Sequence, residues 1–598
     1  MSGARAFLDV SSSETGLAWR PRLDAQGEAR ALAIAQVGGV SEIVARVLAA
    51  RAVEIDGVAR FLSPKLRDLM PDPYTLTDMA KATERLKRAV LAGEGVGIFG
   101  DYDVDGAASS ALLSEYLEAC GLATLIHIPD RILEGYGPNR AAMEAFVKRG
   151  VSLVVTVDCG ATSAETFAHA KSLGLDVVVF DHHQAPEAIP DVVALVDPNR
   201  QDDLSGLGTL CAAGVVYMGL VALSRALREA GFFKTRAAPN LLAALDLVAL
   251  ATVADVVPLT GLNRAFVVQG LAVMRERKRP GLTALLDVAA ADGPPTPYHL
   301  GFMVGPRVNA GGRIGDAALG ARLLTTRDDL LAREIAAELD RLNRIRQEIE
   351  IAALAEAEAE ALHALGLEER GACVVVGGES WPPGIVGLVA ARLKERFGRP
   401  AFAFALQGAE AVGSGRSIQG VDLGRTVRAI VDAGLALKGG GHAMAAGVTI
   451  ERGRLGEFRA YLEVALAAPV ERARAGPTLL IDSALSAQAA TPDLVTAVEA
   501  AGPFGSGSPE PMFALPSHRL TDVFPVGTNH LRLRAASMDG RKIEAIAFRA
   551  GDKPLGEALR RLKGQAVHLA GTLSINRYGG RETAQLRVVD VAKAERAG

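Results

Sequence analysis

The sequence predicts an α/β multidomain chain: a parallel-sheet domain, a long connecting helix, a second α/β domain and a C-terminal β-barrel. Three features predict it. From about Glu94 to Asn199 short β-branched runs alternate with helical segments, the pattern of βαβ units around a buried parallel sheet. From Thr326 to Leu365 there is no Gly or Pro, and Ala, Glu, Arg and Leu dominate, so this is one long helix. Beyond the Pro- and Gly-rich stretch PFGSGSPEPMF come short alternating strands such as HLRLRAA, KIEAIAF and QAVHLAGTL, which read as a small barrel.

At 598 residues the chain exceeds what one hydrophobic core can hold. The expected divisions are an N-terminal segment over 1–90, the parallel-sheet domain over 91–325, the connecting helix over 326–366, the second α/β domain over 367–468 and the barrel domain over 476–598. The first segment reads as mixed helix and turn. Within the parallel-sheet domain VGIFG, TLIHIP, VSLVVTVD, DVVVFD and VVALVDP are the strands. The helix at 326–365 is expected to be an interdomain strut, and ACVVVGG and AFAFAL flank a helix in the domain after it.

Leu241–Leu259 is the longest apolar stretch, but Asp246 and Asp255 interrupt it, so it reads as a buried helix and not a membrane span. The N-terminal MSGARAFLDV lacks the apolar run of a signal peptide. Four cysteines stand far apart with no CxxC pair, which disfavours a disulfide framework or zinc site and fits a reducing cytoplasm. Net charge is −4, yet Pro516–Gly598 holds 15 Lys/Arg against 8 Asp/Glu. A basic tail on an acidic body is an asymmetry that suits a polyanionic substrate.

The stretch VGIFGDYDVDG puts Asp101, Asp103 and Asp105 on alternate positions between a strand and a helix. One such Asp can simply cap the helix. The other strand ends decide for more: Asp158 follows VSLVVTV, and Asp181, His182 and His183 follow DVVVF. Carboxyl ends of parallel strands share one edge, where open α/β sheets bind ligands. Asp255, in ATVADVVPL, adds a fourth segment. Carboxylates and imidazole without thiolate favour Mn²⁺ or Mg²⁺, with His tilting toward Mn²⁺. So many acids exceed the need of one ion, and two ions about 3.5–4 Å apart would neutralise them and activate water for phosphoryl ester hydrolysis. A single ion also remains open at this point. Of the adjacent histidines, one reads as a ligand and the other as a donor to substrate or leaving oxygen.

DYDVDG, VDCG, DHH and ADVVPL, in this order, resemble the metal-binding motifs of the DHH phosphoesterase superfamily, and GGGHAMAAG (Gly439–Gly447) resembles the signature of its DHHA1 companion domain. PRVNAGGR (Pro306–Arg313), SGRS (Ser414–Ser417), PPGIVGLVAARL and PFGSGSPEPMF resemble the RecJ family of single-strand-specific exonucleases. The resemblance, over roughly residues 40–590, implies 5′→3′ degradation of single-stranded DNA to mononucleotides with Mn²⁺ or Mg²⁺, in recombination and repair. It further implies an oligonucleotide-binding (OB) fold for the barrel, contact with single-strand-binding protein, and a RecQ-type helicase as a further partner. Carried over by position, it makes Asp101, Asp103, Asp105, Asp158, His182 and Asp255 the metal ligands. Asp158 becomes the bridging acid, and His183 faces the substrate. Two departures stand out. Phe99 occupies a place where some members have a metal-binding His, and Ser508 one where the pattern GNPEP has Asn.

GSGRS and KGGGHAMAAG are Gly-rich loops that let phosphate approach backbone N–H groups. Ser414, Arg416, Ser417 and His442 are the side-chain candidates there. Arg307, Asn309 and Arg313 are read as a loop ahead of the long helix that clamps the nucleic-acid backbone. Phe524, Phe548 and Tyr578 are the stacking candidates of the barrel. Alternatives are a DHH phosphoesterase for short oligoribonucleotides or cyclic dinucleotides, a pyrophosphatase-like enzyme, and a non-catalytic strand-binding scaffold. The extra basic β domain argues against the first two, and the intact acidic set against the third.

Overall fold

The computed structural model describes residues 5–594 apart from 132, 367–368 and 579, and, within strands, the side chain of Tyr578 also lies outside the described residues. The chain forms two compact units: residues 69–474, and the segment up to Asp68 together with Ala475 onward.

The larger unit is built on a five-stranded, wholly parallel sheet. Its strands run in the order Thr124–His127, Val96–Gly100, Leu153–Val157, Asp176–Phe180 and Ala194–Val196. Val96–Gly100 and Leu153–Val157 are buried at every position, as expected where helices cover both faces. The chain starts on Val96–Gly100, goes first to one side and then returns to pair Leu153–Val157 on the other. The crevice of such a sheet opens between those two strands. Helices Val104–Ala119, Ala212–Glu229 and Leu245–Ala254 carry mostly buried residues and pack together over the sheet.

Helix Asp329–Leu365 has 37 residues and is about 55 Å long. It is more than a strut. Ala332, Ile335, Ala336 and Leu339 are buried where its first half packs on helices Pro280–Val288, Gly305–Ile314 and Leu319–Thr325. Ala353, Ala357, Ala361 and Leu365, one per turn, are buried against strand Val374–Gly378 and helix Val386–Phe397. A column of small side chains at this period lets the helix lie close to the second sheet. That sheet runs Lys438–His442, Ala445–Glu451, Glu410–Arg416, Ala401–Gln407, Val374–Gly378, and is antiparallel except for its last pair.

The smaller unit is a closed five-stranded barrel of Phe513–Val526, His530–Ala536, Lys542–Ala547, Ala566–Tyr578 and Arg581–Lys593, closed by pairing of the first with the fourth. This is an OB-type barrel. The expected 1–90 segment divides. Helix Met79–Ala92 packs in the larger unit. Residues before Asp68 fold with the barrel: strand Ala18–Pro21 pairs parallel to Thr478–Ile481, and Ile34, Val47 and Leu48 share a core with Leu515, Leu531 and Leu569. Trp19, fully buried, donates its indole N–H to Asp590 Oδ2 at 2.7 Å. A partner strand some 460 residues away leaves no local sequence signal. Ser508, at one of the two departures, is buried and its hydroxyl accepts from Arg51 Nε at 3.3 Å.

All four cysteines are reduced and buried. Among the described residues no helix is long and apolar enough to cross a membrane.

Candidate active site

The acidic loop starts where strand Val96–Gly100 leaves the sheet. Asp103 caps helix Val104–Ala119, its Oδ1 accepting from the N–H groups of Asp105 (2.9 Å) and Gly106 (3.1 Å). A Cβ on Gly106 would lie 2.3 Å from the Asp101 carbonyl oxygen, so only glycine lets the helix press down on the loop. Asp101 is buried, and its Oδ1 has no hydrogen-bond partner. Asp105 is buried at the N-terminus of helix Ala212–Glu229, accepting from Ala212 N at 2.6 Å and Ala213 N at 2.8 Å.

Across the crevice, Asp158 follows Leu153–Val157 with φ +62°, a left-handed conformation unusual for a residue with a Cβ. Such outliers gather at functional sites. Its carboxylate is buried, and Oδ1 makes no hydrogen bond although His182 Nε2 lies 3.2 Å away. The same nitrogen is 3.8 Å from Asp105 Oδ2, and His182 Nδ1 is 3.8 Å from Asp255 Oδ2. Three overlapping groups therefore form, each with ligand atoms within 4.8 Å of one another: Asp101, Asp103 and Asp158; Asp105, His182 and Asp255; and Asp158, His182 and His183.

Burial, followed by mutual repulsion among the acids, drives Asp158 well above the usual carboxylate range. Burial and then Asp103 do the same to Asp101. Asp105 is raised chiefly by burial, and Asp255 is pushed up to about 8 by burial, Asp105 and Asp103. Unpaired buried carboxylate oxygens facing one another are costly unless a cation joins them. This donor set of oxygens and one imidazole fits Mn²⁺ or Mg²⁺.

Asp181 is not among these sets. Its Oδ1 accepts from the backbone of His182 (2.8 Å) and from His183 Nδ1 (2.8 Å), and its Oδ2 from Ala161 N (2.9 Å). Burial works against its charge, yet His183 holds it down at about 2. Burial likewise disfavours the His183 imidazolium, and Asp181, Asp101 and Asp103 overcome this to raise it to about 9.

On the second sheet, Arg416 on strand Glu410–Arg416 donates to Ser414 Oγ at 2.8 Å and to the Gly415 carbonyl at 2.9 Å. A Cβ on Gly387 would meet Arg416 Nη2 at 2.8 Å, so glycine there makes room for the guanidinium. Arg313 donates to the Gly384 carbonyl at 2.6 Å. Burial, then Arg131, Arg346 and Arg416, lower Arg313 to about 10, and burial and Arg131 lower Arg416. An anion placed among guanidinium groups that disfavour one another in this way would relieve the repulsion.

The chain matches the DHH family, N-terminal domain over residues 95–252, the DHHA1 domain over 370–468 and the RecJ OB domain over 481–590. It is 36% identical over 568 residues to the single-stranded-DNA-specific exonuclease RecJ of Salmonella typhimurium, covering 92% of this chain and 95% of that protein. The chain belongs to the RecJ family. The RecJ of Escherichia coli is 35% identical over 92% of this chain and 95% of its own. In structure, RecJ of Thermus thermophilus, crystallised in complex with Mn²⁺, superposes with a TM-score of 0.76 at 28% identity, covering 95% of this chain and 78% of that one. The same protein in complex with Mg²⁺ gives 0.72.

Of the residues singled out by their resemblance to RecJ, the five acids and His182 cluster as described. The rest are placed as follows. PRVNAGGR is a helix, Gly305–Ile314, and not a loop. Two glycines side by side hid it, but Gly312 lies against the Tyr102 carbonyl, where a Cβ would come within 2.7 Å. Arg307 is paired with Asp340 at 2.9 Å and donates to the Met303 carbonyl, so its guanidinium ties helices together. Asn309 reaches the acidic loop. Ser417 is buried, its hydroxyl donating to the Val421 carbonyl at 2.6 Å, which makes it a support of the loop. His442 is exposed on the edge strand Lys438–His442, and partial burial, His183, His182 and Arg428 hold it below its ordinary value. Phe99 is fully buried against the ring of His127, 5.3 Å between centroids.

Three contributors escape sequence reasoning. Arg131 lies over the Tyr102 ring at 5.1 Å and faces the arginine cluster. Tyr136 places its hydroxyl 3.4 Å from His183 Nδ1. Asn199 holds the His182 carbonyl at 2.6 Å. The signal for the first two was their shared segment, RILEGYG, between strand and helix.

Proposed function

We propose that this chain is a 5′→3′ exonuclease that hydrolyses single-stranded DNA from a 5′-phosphorylated end and releases mononucleotides, serving recombination and repair. The observation that carries the reading is the pairing, in one unit, of two acidic ligand sets with the arginine cluster of Arg313 and Arg416. The activity named for the RecJ relatives supports it. Asp101, Asp103 and Asp158 would hold one divalent ion, and Asp105, His182 and Asp255 a second. When bound, Mn²⁺ or Mg²⁺ ions supply a nucleophilic water at neutral pH and stabilise charge on the phosphoryl oxygens.

The chain's own residues do the remainder. Arg313, Arg416 and Ser414 hold the terminal 5′-phosphate, with His442 at the rim, and a clamp beside the acids limits each cut to one nucleotide. Asp181 occupies Nδ1 of His183, so Nε2 is the nitrogen that gives a proton to the leaving 3′ oxygen. Preference for a single strand follows the activity named for the RecJ relatives. Single-strand-binding protein and a RecQ-type helicase are partners on the family resemblance, and the reduced cysteines suit the cytoplasm.

The test is digestion of 5′-phosphorylated single-stranded and duplex oligonucleotides with Mn²⁺ and with EDTA. Mononucleotides from the single strand alone, in Mn²⁺ alone, are expected. Binding without cleavage under every condition would make the chain a scaffold.

A further inference from the structure

Helix Gly305–Ile314 is preceded by a π-helical segment, His299–Val304, a rare geometry that is frequent at functional sites. Leu300 and Val304 anchor the segment in the core, while Phe302 is 73% exposed and Tyr298 is 61% exposed. These are the most exposed Phe and Tyr among the described residues. Their rings stack on one another, 5.2 Å between centroids and 25° between planes, although no protein atom covers the outer faces enough to bury them.

The segment rises from the same backbone as the acids. A Cβ on Gly301 would lie 3.4 Å from Val253, and one on Gly305 would lie 3.5 Å from Ala254 and 3.9 Å from Val104. Val253 and Ala254 lead directly to Asp255, and Val104 separates Asp103 from Asp105. Val256, next to Asp255, is 68% exposed and has φ +59°, an outlier for a β-branched residue. Charge adds a second pointer. Arg307 is held by the Met303 carbonyl and Asp340, and the same Asp340 also pairs with Arg344, whose side chain is 72% exposed and so is the guanidinium left open to an anion. Apolar ring faces next to surplus positive charge match a nucleic-acid strand, base against ring and phosphate against arginine.

Resting on the exonuclease reading above, we infer that Tyr298 and Phe302 are a base-stacking platform for nucleotides on the 3′ side of the bond being cut. Arg313 stands at the far end of the helix that begins beside Phe302. Eleven residues at the helical rise put roughly 16 Å between the two, more than one nucleotide spans. The strand therefore has its 5′-phosphate at the arginines, its scissile bond at the acids, and its following bases on the rings. Stacking needs no particular base, which suits degradation of any sequence.

The test uses the full chain and a short 5′-phosphorylated single strand carrying one abasic site at each position in turn. The unaltered enzyme should lose roughly tenfold or more in kcat/KM when the abasic site falls at the platform. In Tyr298→Ala/Phe302→Ala that positional penalty should vanish, with the overall kcat/KM on intact strands lowered to the same level. Phe302→Leu, which keeps the apolar volume, should reproduce most of the loss with unchanged thermal stability. A 5′-phosphorylated dinucleotide, too short to join clamp and platform, should be cleaved equally by all three. A positional profile identical in the unaltered and substituted enzymes overturns the platform while leaving the exonuclease reading intact. So does concentration-dependent self-association that Phe302→Leu abolishes without any change in cleavage, which would make the rings a contact between copies of the chain. No degradation by the unaltered enzyme overturns the exonuclease reading itself.

Discussion

Asn309 Oδ1 accepts a hydrogen bond of 3.0 Å from the backbone N–H of Val104, the residue between Asp103 and Asp105. Helix Gly305–Ile314 thus holds the acidic loop at one turn and, through Arg313, the Gly384 carbonyl at the next. A single helix therefore sets the distance between the acidic loop and the arginine cluster.

Asn309→Ala should therefore disturb the metal half. An unsatisfied N–H near the crevice costs about 1–3 kcal/mol, seen as a lowered midpoint of thermal unfolding. The loop loses its tether, so Mn²⁺ affinity should fall in calorimetric titration and activity should recover partly at higher Mn²⁺. Unchanged Mn²⁺ affinity would make the bond a purely structural one.

Asp158 sits where repulsion is greatest, so its removal separates stability from activity. Asp158→Asn keeps a residue that tolerates positive φ and should lose turnover by orders of magnitude. Without divalent ions the substituted chain should be at least as stable as the unaltered one. The same acids give a pH dependence. Carboxyl groups raised above their unfolded values, Asp255 to about 8, bind more protons folded than unfolded. In EDTA their favourable contribution is complete below about pH 4 and is lost as pH rises through about 8. Thermal unfolding in EDTA should show a midpoint that falls across this window, and saturating Mn²⁺ should abolish the fall. A midpoint that rises with pH in EDTA would contradict the acidic cluster as described.

The sheet was legible because its strands are continuous apolar runs bounded by turn signals, as in VSLVVTVD. The site was legible for a related reason. Asp101 and Asp158 end neighbouring parallel strands, and topology brings such ends together without further information. What escaped depends on tertiary context. The helix at 305–314 was hidden by glycines that only make sense against the Tyr102 and Asp316 carbonyls. Arg307 and Ser417 carry residue types suited to phosphate, but Asp340 and the Val421 carbonyl already take their donors. The union of residues before Asp68 with the barrel rests on a strand pair spanning nearly the whole chain.

The two adjacent histidines should part company on substitution. His182 contacts three acids through both ring nitrogens, whereas His183, though grouped with Asp158 and His182, commits Nδ1 to Asp181. His182→Ala should weaken Mn²⁺ binding together with turnover, and His183→Ala should lower turnover with Mn²⁺ affinity largely kept. The reverse order in a calorimetric titration would exchange their roles.

Arg416 tests the direction of attack. Its substitution by Ala removes a charge-assisted donor, so the preference for 5′-phosphate over 5′-hydroxyl ends should shrink by about 1.5–3 kcal/mol. The measurement is kcat/KM on matched oligonucleotides. Equal losses on both ends would make Arg416 a general backbone contact.

The barrel offers the last prediction. Removing residues 475–598 alone would strip the cover from Trp19, Ile34 and Leu48, so point substitutions are the cleaner probe. Phe524 and Phe548 are both exposed on the barrel, and Phe548 stands beside His530 and Arg549. If they stack on bases, Phe524→Ala with Phe548→Ala should weaken binding of a long single strand by about 1–3 kcal/mol per lost stack. No charge changes, so the slope of log affinity against log salt should stay constant. Arg549→Ala should do the opposite, flattening that slope by about 0.7 if the side chain neutralises one phosphate. Both are read by anisotropy across a salt series in an Asp158→Asn background, which prevents digestion. Dinucleotide cleavage, which needs only the acids and the phosphate clamp, should be untouched by any of the three. Should long-strand affinity and salt slope both stay constant, the barrel is not a strand-binding surface, and contact with a protein partner becomes its function.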